Sequence, residues 1–588
     1  MPRRARRAVT AAALVAAAAA LASAPASAQE LRCPDGARCA TLTVPLDHSG
    51  GTPGTQPVAY AVLPATGTRT GTLVFLAGGP GEPAIPLARD VAAKLRRLRG
   101  SHDLVFVDQR GTGASGAVEC ELESQADVAA CGERFGARRA FMSTRETALD
   151  LEDLRAALGA EQLTLLGVSY GSKVAQAYAR LFPQRTAALV LDSPTPVDGL
   201  DAIFQLRQVG LGRALREICQ PGTCKLSLPR ADRALDRLAA RLQRGALRGR
   251  LVLPSGRTRR ASLSEAELYG LVLLSDVDPS IRADLPGAIG SAATGDPAPL
   301  LRLAGFVERA PGQEAEPVNL GRLLATSCIE GRLPWSPDAP VAGREAALSA
   351  LLTERRSVFA PFSTATVRDQ TSATLCTDWP ATPAPAPLSY GGPDVPVLVL
   401  AGREDLRTPL EDARRTAEQY PDAKLLPVPD VGHSVLGTDP TDCAITRTAA
   451  FLAGDEIDYC VRSARPLAPL PVIPAGLDDY RGPGDAQRTA NAVAASLFAV
   501  LREIAPVQGI RGGLRFPALR AGVFVAYRDR VELRGVEWVR GVRLTGVVRR
   551  RSARIVIGGS RAVPGVIAGR PGRAFRGTIG GRRVVIRP

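Results

Sequence analysis

Gly167-Val168-Ser169-Tyr170-Gly171 sets a serine between two glycines, directly after the apolar run 163–166 and directly before the helix-compatible run 172–181. Glycine is common here, 58 of 588 residues, so the pattern alone is weak and its context carries the reading. On a tight strand-to-helix turn a serine hydroxyl is lifted clear of the backbone, and flanking glycines relieve the crowding which that turn creates. The chemistry is nucleophilic acyl transfer, and it requires a base that is itself oriented by an acid. Only three histidines are present. His433 follows the apolar run 424–428 in a Val-Gly-His-Ser turn, where an imidazole can project from a sheet edge; His48 and His102 read as structural or exposed. Asp405 lies just beyond the apolar run 395–400, with Glu404 its adjacent rival. Thr408 reads as the cap of the next helix rather than a partner of the carboxylate. Two backbone donors must face the developing oxyanion. Tyr170 N–H supplies one, and Gly79, in the glycine loop after 72–76, supplies the other, because a missing side chain lets substrate approach the backbone. Asp108 and Arg110 read as a structural charge pair nearby.

The elements that must hold these residues alternate. Apolar strand-like runs at 72–76, 103–107 and 163–166 each lead into a glycine-containing turn, and a helical pattern at 144–158 lies between the last two. Short apolar strands alternating with helices predict an α/β domain, a parallel sheet covered on both faces. Its first part spans 29–195 and its second 395–461, where strand runs at 395–400 and 424–428 precede a helix at 441–452. Residues 196–394 form a mostly helical insertion, with helical patterns at 230–247 and 344–352. The Pro- and Gly-rich stretch 462–484 reads as a linker. Residues 485–588 read as a small β-rich module: a helix at 486–504, then β-branched runs at 522–527, 542–548, 554–557 and 583–586 separated by glycines.

Composition excludes whole classes. With 45% hydrophobic and 22% charged residues the chain is globular, neither disordered nor coiled coil. The net charge of +16 suggests a nucleic-acid binder until it is located. Residues 476–588 hold 22 Arg against 7 acidic residues, and Arg3, Arg4, Arg6 and Arg7 add four more charges, which leaves the rest slightly acidic. Any polyanion argument therefore belongs to the C-terminal module alone, and nucleic acid is not expected as a partner. Two readings of that module stay open: weak association with anionic cell-envelope polymers, or, the one we favour, a basic β-module packed on the rest. Residues 1–28 have the basic start, Ala-rich apolar run and Ala26-Ser27-Ala28 site of an export signal, and no segment is long enough to span a membrane. Ten cysteines fall into local couples, 33/39, 120/131, 219/224, 328/376 and 443/460, which predicts disulfides and an oxidising compartment. A zinc site is not expected, since there is no Cys-x-x-Cys and no His near another ligand.

Taken together these residues resemble α/β-hydrolases of the prolyl aminopeptidase and secreted tripeptidyl aminopeptidase group. The resemblance rests on Gly78-Gly79-Pro80-Gly81, Asp108-Gln109-Arg110-Gly111-Thr112-Gly113, the Ser169 motif, Asp405 with Thr408-Pro409, and Gly432-His433, in that order. Ser327-Cys328-Ile329-Glu330 and Cys376-Thr377-Asp378-Trp379-Pro380 resemble cysteine motifs of the secreted branch. The resemblance covers roughly 33–465 and implies an α/β-hydrolase fold, a Ser169–Asp405–His433 triad, a cap formed by the insertion, and no cofactor or metal. Ala77 stands where simpler prolyl aminopeptidases have His, and Glu82 where a small residue is usual, which points away from strict proline specificity. The expected activity is an exported serine hydrolase acting near the free N-terminus of peptides. A secreted carboxylesterase is the alternative, and an envelope-binding protein with a vestigial hydrolase domain a third class. An aminopeptidase must bind the substrate ammonium at a fixed distance from the nucleophile, which a carboxylate can do. Glu330, beside a cysteine expected to be bridged, is the first candidate, and Asp378 the second.

Overall fold

The computed structural model describes residues 30–587 except 123, 200, 221–222, 308–317, 390, 463–466 and 505–512; the export signal read over 1–28 lies outside the described residues. The N-terminal domain is built on an eight-stranded sheet of order β1-β2-β4-β3-β5-β6-β9-β10. Its strands are β1 (Arg38–Pro45), β2 (Thr55–Leu63), β3 (Gly71–Leu76), β4 (His102–Val107), β5 (Leu163–Val168), β6 (Thr186–Asp192), β9 (Val397–Gly402) and β10 (Lys424–Val428). β2 runs antiparallel to β1 and β4, and the remaining pairs are parallel. Alternation decides which face each side chain covers. In β3, Val74 and Leu76 join the core beneath helices Thr144–Ala157 and Tyr170–Leu181, while Leu73 and Phe75 join the core on the opposite face. The strand order reverses between β3 and β5, and open α/β sheets place their ligands at that switch point. Leu76 pairs with Gly167 there, so the glycine loop and Ser169 leave the sheet side by side.

Between β6 and β9 lies the cap. It is mostly helical, with its own buried core contributed by helices such as Gln205–Ile218, Ala231–Leu242 and Pro279–Ala293. Ala231, Ala234, Leu235, Leu238, Ala239 and Leu242 are buried at the 3–4-residue spacing that a one-sided helix requires. A hairpin of β7 (Leu247–Val252) and β8 (Thr258–Leu263), which the sequence reading did not include, interrupts the helices. All five expected disulfides form.

The C-terminal module is an antiparallel meander in which each strand pairs with the next: β11 (Leu514–Pro517), β12 (Ala521–Ala526), β13 (Arg530–Glu537), β14 (Arg543–Arg549), β15 (Ala553–Gly558), β16 (Gly565–Gly569), β17 (Phe575–Ile579) and β18 (Arg582–Ile586). Helix Asp485–Ile504 shares its core. The stretch read as a linker is not free chain. Leu470, Ile473 and Leu477 are buried in the module's core, and Leu470 N–H donates to the Ala283 carbonyl of the cap.

Candidate active site

Ser169 takes φ 52° and ψ −120°, and its backbone N–H donates to the Asp192 carbonyl at 2.9 Å. The turn admits no side chain on either flank. A Cβ on Gly167 would stand 2.4 Å from the Gly171 carbonyl oxygen, and one on Gly171 would stand 2.1 Å from that of Leu76. The glycine loop passes directly over the serine, since a Cβ on Gly78 would meet Ser169 Cβ at 3.0 Å and Oγ at 3.6 Å. Gly79 is exposed, with φ +102°, and a Cβ there would collide with Gly81 N at 2.6 Å. Tyr170 opens the following helix, so its N–H has no intrahelical acceptor.

His433 Nδ1 lies 2.9 Å from Asp405 Oδ2, with the acid fully buried. The backbone N–H groups of Arg407 and Thr408 donate to Asp405 Oδ1 at 2.8 and 3.0 Å. Thr408 Oγ1 stands 3.0 Å from Asp405 Oδ2 and 2.8 Å from the Ser193 carbonyl. Helix Leu410–Ala417 begins from Pro409 with no side-chain cap, so Thr408 serves the carboxylate and the helix-cap reading is corrected. Burial pushes Asp405 up, but the His433 charge and these hydrogen bonds outweigh it and hold the carboxyl below its ordinary range. Burial pulls His433 down, and its attraction to Asp405 and Asp276 outweighs that and raises it. Glu404 is buried against Arg282 at 3.3 Å, turned to the cap rather than to the imidazole.

Two residues that sequence reasoning passed over join these parts. Asp192 accepts the Ser169 N–H on its carbonyl, while its carboxylate accepts Val435 N–H at 2.7 Å and Leu436 N–H at 2.8 Å, so one residue ties the nucleophile turn to the histidine loop. Burial lifts its carboxyl to about 6. Asp276, from the cap, accepts the His433 backbone N–H on its carbonyl at 2.8 Å, and its carboxylate meets Arg407 Nε at 3.2 Å. An acid ending a strand was the only available signal for Asp192; Asp276 acts mainly through its backbone, which has no residue-type signature.

The other candidates have partners of their own. Glu330 is engaged: one oxygen accepts Thr144 N–H at 2.5 Å, the other Thr144 Oγ1 at 2.5 Å and Lys173 Nζ at 2.7 Å. Its ammonium partner is thus an internal lysine beneath Tyr170, whose hydroxyl lies 3.0 Å from Thr144 Oγ1. Asp378 takes Thr377 Oγ1 at 3.3 Å and lies within the electrostatic reach of Arg344, in the cap corner held by Cys328–Cys376. Asp108 and Arg110 do not pair with each other as expected. Arg110 is clamped by Asp150 at 2.5 and 2.7 Å, and Asp108 accepts Ile85 and Ala114 N–H. His48 joins that cluster through Glu146 at 2.7 Å, and His102 lies at the start of β4, at the far edge of the sheet. A cleft of about 980 Å³ also opens at that far edge. Among the described residues no group of three or more His, Cys, Asp or Glu side chains is placed to hold a metal ion, and no helix is long and apolar enough to cross a membrane.

Residues 71–215, which contain Gly79 and Ser169, match the alpha/beta hydrolase fold family, and 360–460, which contain Asp405 and His433, match the family described as TAP-like protein. Serine protease Hip1 of Mycobacterium tuberculosis is 33% identical over 207 residues, 30% of this chain and 40% of that protein. Tripeptidyl aminopeptidase of Streptomyces coelicolor is 32% identical over 199 residues, 28% of this chain and 36% of that protein. Carboxylesterase B of M. tuberculosis is 37% identical over 97 residues, 16% and 18% of the two chains. The matched segment thus spans less than half the length of each relative. On the sheet order, the strand-to-helix serine turn and these matches, the chain has an α/β-hydrolase fold, with a second part that is similar to the TAP-like family.

Proposed function

We propose that this protein is an exported serine hydrolase that releases residues or short peptides from free N-termini through an acyl-enzyme. The observation that carries the reading is the joining of three loops at the sheet's switch point: the Ser169 turn beneath Gly78 and Gly79, the Asp405–His433 pair, and Asp192 bridging the two. Ser169 Oγ attacks the scissile carbonyl and passes its proton to His433, whose Nδ1 is held by Asp405, leaving Nε2 as the working nitrogen. The N–H groups of Gly79 and Tyr170 receive the oxyanion, and His433 returns the proton to the departing amine. Water then repeats the sequence on the acyl-enzyme.

The matches to a serine protease and a tripeptidyl aminopeptidase support a peptide substrate. Export is supported by five disulfides and by the signal-like residues 1–28. The match to a carboxylesterase favours a second reading, hydrolysis of small esters, because one triad serves either leaving group. The excess Arg of residues 476–588 supports a weak additional affinity for anionic envelope polymers. Fluorophosphonate labelling of Ser169, followed by parallel assays on an aminoacyl arylamide, its N-acetyl form and an acyl nitrophenyl ester, tests the assignment. Preference for the free amine supports the aminopeptidase; indifference to the amine with rapid ester cleavage replaces it with the esterase.

A further inference from the structure

A substrate amine held beside a nucleophile calls for a carboxylate that is not already neutralised. Among the described residues Asp412, on helix Leu410–Ala417, is buried with its carboxyl lifted to about 7, and of six further carboxylates around the reacting loops five are occupied. Asp405 holds His433, Glu404 faces Arg282, Asp276 faces Arg407, and Glu330 is held by Lys173. Asp192 is fully buried under two backbone N–H groups. The sixth is Glu82, half-buried on the oxyanion loop itself. Its carboxylate accepts the Gly78 N–H at 3.2 Å, and its own N–H donates back to the Gly78 carbonyl at 3.3 Å, so the side chain is folded over the turn that carries Gly79. The loop is held from outside by the cap, where Asn319 N–H donates to the Gly81 carbonyl at 2.9 Å. Among the described residues no cationic side chain forms an ion pair with Glu82. Burial holds its carboxyl above the ordinary range, offset in part by the Gly78 N–H and by the charge of His433, which lies within its field. A half-buried carboxylate with one backbone partner lacks a cation to complete it.

We propose that Glu82 receives the α-ammonium of the substrate and that the enzyme releases the first residue singly. This rests on the aminopeptidase reading above and deepens it. The length follows from reach. In a one-residue acyl group the amine nitrogen is two bonds from the attacked carbon, about 2.5 Å, whereas in a tripeptidyl group two further extended residues carry it roughly 7 Å away. Glu82 is anchored on Gly78, the residue that touches Ser169, so it serves the short acyl group.

The test compares wild type with Glu82→Gln, which keeps an acceptor for Gly78 and removes the charge, on an alanyl arylamide, its N-acetyl form, the des-amino propionyl arylamide and a tripeptidyl arylamide. Wild type alone examines the underlying reading: no preference for alanyl over N-acetyl and propionyl forms ends the aminopeptidase reading, and the assignment with it. If the preference holds, Glu82→Gln lowers kcat/KM on the alanyl arylamide by about 10- to 100-fold, mainly through KM, and by at least tenfold more than on the blocked, des-amino and tripeptidyl substrates. Losing the charge and losing the amine are then non-additive. Equal losses on all four substrates, or no loss on the alanyl arylamide, overturn the assignment, and a larger loss on the tripeptidyl substrate overturns the length. Fluorophosphonate labelling rates report whether the variant is folded. Should it not fold, Glu82→Asp enters the same cycle and must show the same selective, KM-borne loss or the assignment falls.

Discussion

In the proposed mechanism Ser169, His433 and Asp405 act as one unit, so removing any of them removes most of what the unit does. Ser169→Ala and His433→Ala are expected to lower kcat by about 10⁴-fold or more with little change in melting temperature, measured on arylamide and ester alike. The pH dependence has a definite sign. Only neutral His433 accepts the serine proton, and the Asp405 and Asp276 charges raise its pKa, with Asp192 and Glu82 nearby and Arg407 opposing. kcat/KM therefore falls as pH drops through a value above the ordinary imidazole pKa of about 6.5. Asp405→Asn removes the attraction and leaves the burial, so its acid limb moves to lower pH while the maximum falls; a limb that stays in place would detach the acid from the histidine. The residues proposed as the triad were legible in the sequence because each follows a strand-like run, in a fixed order, and only three histidines are present. Asp192 and Asp276 were not, because much of their work is done by main-chain carbonyls, and neither was the Lys173 partner of Glu330, which is remote from it in sequence.

At the scale of elements, the catalytic loops are braced by the cap as much as by the sheet. Helix Pro279–Ala293 sends Arg282 to Glu404, a pair with side chains 5% and 1% exposed, and Arg282 also donates to the Asp276 carbonyl that accepts His433 N–H. Arg282→Ala takes the Arg282 guanidinium away from the buried Glu404, with an expected cost of about 3–5 kcal/mol and a displaced histidine loop. Denaturation and kcat should fall together, and adding Glu404→Met should restore part of the stability. On the other side of the cap, Cys328–Cys376 closes a 48-residue span, worth about 4 kcal/mol by chain entropy. A Cys328→Ser, Cys376→Ser double variant should lose stability of that order, read from urea unfolding. Strands such as β3, β4 and β5 were legible because continuous apolar runs between glycine turns fit little else. The β7–β8 hairpin was not, since Leu247–Val252 carries Arg248 and Arg250 on an exposed face and the helical pattern was read on through Gly245, the residue at which the helix and the strand part.

For the whole molecule, the question is what the C-terminal module is attached to. Its arginines are partly consumed internally and partly by the cap: Arg520 pairs with Asp296 at 2.6 Å, Arg502 with Asp284 at 2.5 Å, and Glu503 receives Arg302 at 2.7 Å. Each of these pairs is largely buried, so breaking one strands a charge rather than exposing it harmlessly. Part of the stretch 462–484 that was read from its prolines and glycines as a linker lies in the same interface, through Leu470 and the Ala283 carbonyl, because proline and glycine content reports chain shape and not burial. The cap partners Asp284 and Asp296 sit on or beside the helix that holds Arg282, so the module stabilises the cap that braces His433. Exposed arginines remain, among them Arg549 at the end of β14 and Arg550 and Arg551 on the turn that follows it. Converting those three to Glu on the intact chain should reduce salt-sensitive retention on envelope preparations while arylamide hydrolysis is retained; unchanged retention removes the polymer-binding reading. Truncation after Gly484 is a different experiment. It deprives Asp284, Asp296 and Arg302 of their partners and bares the apolar face formed by Leu470, Ile473 and Leu477, so the melting temperature should fall by roughly 5 °C or more, and activity should fall with it through the cap. A truncated chain with undiminished stability and turnover would mean that the module is independent, and that its charge is there for a partner alone.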